Sequence, residues 1–395
     1  MKRTKQNDLT VEPLSQMSEP KLVREIEIFL ADKYYFRYNI ITGCLEYKES
    51  PASDFRTATD YEINSILRGL HNKKHKISLS ALRNILFSDF SAEYNPFMEY
   101  INSLPKWDGK TDYIQNLAGT VKTTNDDLWY TCFKRWFVAL VGSMVEDEVI
   151  NHTVVIFVGG QGIGKTTWLK NLVPSQLQRY FYSGIIDPTN KDAMIQLSEC
   201  LLINLDELET LNRSEIGSLK DLITKPSIRV RRPYGHVAEY LVRRASFTGS
   251  VNQVNFLTDV TGSRRFLCFD VKHINYQHGL DVSLAYSQAL SLFKSGFQHW
   301  FDQEEIRAIT ENNEIFRART IEEELLDEFY EPCEKHDATG LFTTTMLFGA
   351  IQQNKEHLAM SNAAVQRLGK ALHARKFKQF KQGGSNVWAV KLKDK

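Results

Sequence analysis

The 395 residues hold only five cysteines (Cys44, Cys132, Cys200, Cys268 and Cys333), and no two form a C-x-x-C pair. That spacing excludes a zinc ribbon or disulfide framework and fits a reducing cytosol. Charge of one sign is missing too. Lysine and arginine number 49 against 48 acidic residues, a net charge of +1, so the whole-chain balance selects no partner. No apolar run has spanning length. The most apolar helical stretch, Leu128 to Met144, is interrupted by Lys134 and Arg135 and is short for a bilayer. Its aromatics, Trp129, Phe133, Trp136 and Phe137, recur at helical spacing and predict a core helix. The polar N-terminal stretch lacks the apolar core of an export signal, so a cytoplasmic protein without a membrane partner is expected. No repeat or low-complexity tract stands out. A chain of this length accommodates two or three domains.

What the sequence does have is one dense motif. Thr153 to Leu169 reads TVVIFVGGQGIGKTTWL: a β-branched and aromatic run, a glycine-rich turn, then a helix start. Gly159, Gly164, Lys165 and Thr166 fill the fixed positions of G-x-x-x-x-G-K-[ST]. Glycines at these places let backbone N–H groups turn inward around phosphate oxygens. The expected nucleotide cradle is therefore Gly159, Gly160, Gln161, Gly162, Ile163, Gly164, Lys165, Thr166 and Thr167. Lys165 reaches the β- and γ-phosphates, and the Thr166 hydroxyl ligates Mg²⁺. ATP and Mg²⁺ are the cofactors this pattern predicts.

A second buried strand, Leu201 to Leu205 (LLINL), ends at Asp206-Glu207. Ligands gather at the carboxyl ends of such strands, so Asp206 is expected to hold Mg²⁺ through water and Glu207 to polarise the attacking water. A third run, Ala245 to Val251, ends at Asn252, whose amide can orient water or sense the γ-phosphate. Beyond it, Arg264 and Arg265 are candidates for an arginine finger supplied to a neighbouring subunit.

Basic residues cluster in two places. Lys220 to Arg244 carries Lys220, Arg229, Arg231 and Arg232, with Tyr234 and His236 at a hairpin tip, a pattern suited to a phosphate backbone and its bases. Residues 303 to 337 are mainly acidic, and from Gln366 onward every charge is basic except Asp394. Two helices, Thr343 to Asn354 and Asn362 to Ala374, precede a hairpin turning at Gly383-Gly384, which resembles a winged helix. There Arg375, Lys376 and Lys378 are the expected DNA contacts. Lys73 to Lys76 form a small basic loop expected to be plain solvated surface.

The order GGQGIGKTT, LLINLDELE, RVRRPYG, FTGSVNQ and TGSRRF, with the lead-in YNPFMEYINSLPKWDG, resembles the virulence-associated protein E family. Those are mobile-element ATPases akin to superfamily III helicases and phage primase-helicases. The resemblance implies an α/β, AAA+-like P-loop ATPase core, a homo-oligomeric and hexameric ring, and movement along single-stranded or forked DNA during element replication. By position, Lys165 and Thr166 match the Walker A residues, Asp206 and Glu207 Walker B, Asn252 the sensor, and Arg264 or Arg265 the finger. The roughly 90 residues before the lead-in are too few for a polymerase-type primase, so a separate primase is the expected partner. The domain layout expected is a tail (1–20), an N-terminal hairpin and mostly helical domain (21–110), the ATPase (111–275), a helical linker or lid (276–335) and a winged-helix domain (336–395).

Two alternatives stay open. Asn190-Lys191-Asp192-Ala193 superficially matches a guanine-reading N-K-x-D, but its fourth residue is alanine. The same motifs also suit a DNA-bound ATPase switch in regulation or phage defence, without processive unwinding.

Overall fold

A computed structural model describes residues 19–187, 190–206, 208, 213–232, 237–257, 263–353 and 359–393. They belong to two compact units, Met1–Asn252 with Arg264–Thr310, and Gln253–Ser263 with Glu311–Lys395.

The first unit begins with α1 (Glu19–Lys33), then β1 (Tyr35–Asn39), β2 (Cys44–Lys48), β3 (Arg56–Thr57), α2 (Asp60–Asn72), α3 (Leu79–Leu86), β4 (Ala92–Tyr94) and α4 (Pro96–Ser103). β1 and β2 form an antiparallel hairpin; Gly43 takes φ +66° at its turn, where a side chain would be strained. The four strands run β3-β2-β1-β4. Ile26, Leu30, Leu45, Ile63, Ile66 and Leu70 close this layer. Local capping sets the helix starts: Ser78 accepts from Ala81 N, and Asn95 accepts from Phe97 N ahead of Pro96 at the first turn. The expected solvated loop is only partly so, because His75 is buried with its ring 6.0 Å from that of Phe29.

The chain continues through α5 (Tyr113–Ala118), β5 (Val121–Thr123), α6 (Asp126–Val145), β6 (Val154–Val158), α7 (Lys165–Asn171), β7 (Phe181–Gly184), α8 (Lys191–Glu199) and β8 (Leu202–Asp206). Next come α9 (Arg213–Thr224), β9 (Ser227–Val230), β10 (Glu239–Val242), β11 (Ser246–Val251), β12 (Phe266–Ile274), α10 (Val282–Lys294) and α11 (Gln303–Asn313). Six strands make one sheet in the order β5-β12-β6-β11-β8-β7. All neighbours are parallel except β5, which runs antiparallel to β12. This is a mixed α/β fold built on a largely parallel sheet, and β6 is buried at every position, as a central parallel strand should be.

α6 is the core helix its aromatic spacing predicts. Asn125 caps it by accepting from Leu128 N. The Trp129 ring lies 5.2 Å from Phe157 of β6 and 5.1 Å from Phe269 of β12, edge-on in both cases. Such pairs add about 1 kcal/mol each beyond the area they bury. Among the described residues no helix is long and apolar enough to cross a membrane.

The second unit holds α12 (Ile321–Phe329), β13 (Tyr330–Pro332), β14 (Gly340–Phe342), α13 (Thr344–Gln353), α14 (Asn362–Ala374), β15 (Gln379–Gln382) and β16 (Ser385–Leu392). β16 pairs antiparallel with β13, β14 and β15. Leu326, Phe348, Leu368, Leu372 and Trp388 share its core.

Two expected boundaries move. The stretch 276–335 is no single linker: Ala285, Tyr286 and Ala289 of α10 pack in the core of the large sheet, whereas Leu325 and Leu326 of α12 belong to the terminal core. The acidic and basic segments are also not separate modules. Arg367 pairs with Glu322 at 2.7 Å, and Arg375 with Asp327 at 2.7 Å, so opposite charge on α12 and α14 brings the two helices together. Between α5 and α6 lies the short strand β5.

Candidate functional site

The glycine-rich turn leaves β6 at its carboxyl end. Gly159, Gly162 and Gly164 have φ of +156°, +82° and +94°, so three positions of one short turn need the left-handed region. Gly164 is the most constrained, because a Cβ there would run into the Tyr276 ring. Lys165 opens α7 and is only 6 % exposed. Its ammonium donates to Gly159 O at 2.6 Å, Gly160 O at 2.8 Å and Asn252 Oδ1 at 3.2 Å. Asn252 follows β11, so the turn and the third strand meet around one cation. Gln161, Ile163, Thr166 and Thr167 complete the rim; Trp168, fully buried, anchors α7 beneath it.

Asp206 ends β8 beside these groups. Its carboxylate accepts from Ser250 Oγ of β11 at 2.9 Å and from Ser183 Oγ of β7 at 2.6 Å. Thr166 Oγ1 lies 3.3 Å from Ser250 Oγ, so Thr166 and Asp206, far apart in sequence, both touch one serine hydroxyl. Glu207 lies outside the described residues. Among those described, no group of three or more His, Cys, Asp or Glu gathers. A cation here would draw on one carboxylate, one hydroxyl, water and phosphate oxygens, the set that Mg²⁺ takes. Sequence reasoning missed Ser183, Asn204 and Ser250. Of these only Asn204 left a trace, as the one polar residue inside LLINL.

Arg264 and Arg265 lie elsewhere. They immediately precede β12, whose Phe266 pairs with Val154, whereas the turn follows Val158. One five-residue strand, roughly 15 Å, separates them from the turn. They line a cavity of about 480 Å³ with Glu148, His152, His299 and Trp300. Burial, and then Arg243, Arg265 and His299, hold His152 below its ordinary pKa; burial does the same to His299. Arg243, 1 % exposed, donates to Ile223 O at 2.5 Å and Asn151 O at 3.0 Å, and burial pulls its pKa down to about 9.

The residues expected to touch DNA divide sharply. Arg229 and Arg231 are exposed, and Arg229 lies 5.6 Å over the ring of Tyr240, itself 72 % exposed. Lys220, by contrast, is buried near the Phe266 ring. Arg232 donates to Glu199 at 2.6 Å and to Ile41 O at 3.1 Å, tying the basic segment to the β1–β2 turn. Within the chain Lys220 is thus packed and Arg232 ion-paired. Tyr234 and His236 lie outside the described residues. In the terminal unit Arg375 is ion-paired with Asp327 and Lys378 with Glu334 at 2.5 Å, while Lys376, at φ +60°, is exposed. Asn190 accepts from Asp192 N as the cap of α8.

Fold and site together define a mixed α/β protein whose parallel sheet carries a glycine-rich turn, a lysine, a carboxylate and an amide at one end. The chain belongs to the family of the virulence-associated protein E-like domain, whose pattern matches residues 101–318. Among solved structures it is similar to the apo C-terminal region of NrS-1 (305–718), with a TM-score of 0.51 at 13 % identity over 95 % of this chain and 100 % of that one. A second apo form of that region aligns at a TM-score of 0.49 and 14 % identity, covering 93 % and 98 %. At such identity the likeness speaks of fold alone. No curated protein matches the chain.

Proposed function

We propose that this is a P-loop ATPase of the AAA+-like, superfamily III type, acting as a DNA translocase or helicase in replication of a mobile element. The observation that carries the reading is the meeting of Lys165, Asn252, Thr166 and Asp206 at one sheet end, brought there by three separate segments. ATP would be held by Gly159 to Thr167, with Lys165 neutralising phosphate charge as it develops and Mg²⁺ sharing that role when bound. Asp206 and Thr166 would hold the cation, and Glu207 would polarise the attacking water. Asn252, already against the lysine, would orient the terminal phosphate.

The distance of Arg264 and Arg265 from the turn of their own chain supports their acting on another copy's nucleotide, hence a homo-oligomeric, ring-like assembly. Among the described candidates, Arg229, Arg231 and Lys376 are exposed cations that single-stranded or forked DNA could meet. The helix–helix–hairpin order of the terminal unit supports a winged-helix role there. A second reading, a DNA-bound ATPase switch without unwinding, is favoured by one observation: Arg232, Arg375 and Lys378 are engaged in ion pairs. A guanine-reading role for Asn190 has no support, because its side chain caps α8.

The test is ATP turnover and strand displacement on a forked duplex. Lys165→Ala should abolish turnover, and Glu207→Gln should abolish it while ATP still binds. Normal turnover in either variant removes the site assignment; turnover without displacement in the unaltered protein selects the switch.

A further inference from the structure

Asp206 ends its strand with three hydrogen-bond donors on its carboxylate. Oδ1 accepts from Asn204 Nδ2 at 2.6 Å and from Ser250 Oγ at 2.9 Å; Oδ2 accepts from Ser183 Oγ at 2.6 Å. Asn204 is fully buried. Its amide nitrogen also donates to Ser183 Oγ at 3.0 Å, and its oxygen accepts from Thr248 Oγ1 at 3.1 Å; a flipped amide would set its oxygen against the Asp206 carboxylate and lose that bond. An ionised carboxylate offers about four lone-pair positions. Among the described residues three are filled, and the remaining one is on Oδ2.

The protons can be followed one step further. A serine hydroxyl has one proton, and that of Ser250 goes to Asp206, which only accepts. The 3.3 Å contact between Ser250 Oγ and Thr166 Oγ1 must then take its proton from Thr166. That direction turns the Thr166 proton toward Ser250 and, among the described residues, leaves its oxygen lone pairs without a donor.

We propose that Ser183, Asn204 and Ser250 are positioning residues for the divalent cation that accompanies the nucleotide. They present Thr166 as a direct oxygen ligand and Asp206 as an acceptor for cation-bound water through its one open position. Direct ligation through Oδ1 would displace a donor held at 2.6 or 2.9 Å. None of the three touches the cation. They act as the hydrogen-bond partners behind metal ligands do, where loss of one commonly costs about 10- to 100-fold in metal affinity. The inference rests on the turn being a triphosphate site.

Calorimetric titration of the full chain with a non-hydrolysable ATP analogue, once with Mg²⁺ and once with EDTA, separates the two ideas. The unaltered protein should bind more tightly with Mg²⁺. In Ser250→Ala that Mg²⁺-dependent gain should shrink about tenfold, with affinity in EDTA and the melting temperature unchanged. Ser250→Thr, which keeps the hydroxyl, should restore it. Ser183→Ala, at an exposed position that folding tolerates, should act in the same direction more weakly. If both alanine variants keep the full gain, or lose affinity equally with and without Mg²⁺, the positioning role is overturned and the nucleotide site stands. If the unaltered protein shows no analogue binding at all, both fail.

Discussion

The two ends of the large parallel sheet have opposite characters. At the carboxyl end described polar groups face partners of the same chain: Lys165 meets Asn252, and Asp206 meets Ser183, Asn204 and Ser250. At the amino end Arg264, Arg265, His152 and His299 line a cavity in which Glu148 is the one acidic side chain among the described residues. One end is organised by its own chain before a ligand arrives. The other gathers positive charge that an anion from elsewhere would balance. Burial first, and then Arg243, Arg265 and His299, disfavour the proton on His152.

The strongest way to break this contrast is to remove the amino-end charge. Arg264→Ala with Arg265→Ala should leave nucleotide affinity intact and cut turnover by about 10³-fold, as loss of an arginine finger does. Mixing that variant with Lys165→Ala should restore activity, because a sound turn from one copy then meets sound arginines from the other. Mixtures as inactive as their parts would show that the two ends do not meet across copies. A smaller effect is expected from Asn252→Ala at the organised end: turnover down about 10²-fold with binding within a few-fold, read from steady-state kinetics. Wild-type turnover would remove Asn252 from the site.

The smallest effect sharpens the contrast through pH. His152 has a folded-state pKa below its unfolded value, so the folded chain takes up its proton less readily. Its contribution to stability is present above about pH 6.5 and fades as pH falls through the lowered value. The melting temperature should therefore drop on acidification, and His152→Gln should flatten that drop. An unchanged slope would mean that folding does not disfavour the His152 proton.

Much of this was legible residue by residue. Gly159, Gly162 and Gly164 announced a turn because no other residue takes positive φ so cheaply, and the aromatic spacing of Trp129, Phe133 and Trp136 announced a buried helix. Lys220 and Arg232 were harder. A cation's fate depends on which carboxylate or ring lies opposite it, and Glu199 and Phe266 come from other parts of the chain. The same applies to Arg375, whose partner Asp327 lies in the acidic segment that composition alone sets apart as a different module. Ser183 had no signal at all, since a serine in a short strand looks the same whether or not a carboxylate is beside it.

The sequence by itself determined the glycine turn, the strands with polar residues at their tips and the family, because these depend on local spacing and backbone preference. Only the tertiary structure decided which tips share an end of the sheet, that Arg264 and Arg265 sit at the other end, and which cations are already paired. Those are facts of strand order and register, fixed by long-range pairing that spacing along a chain does not encode.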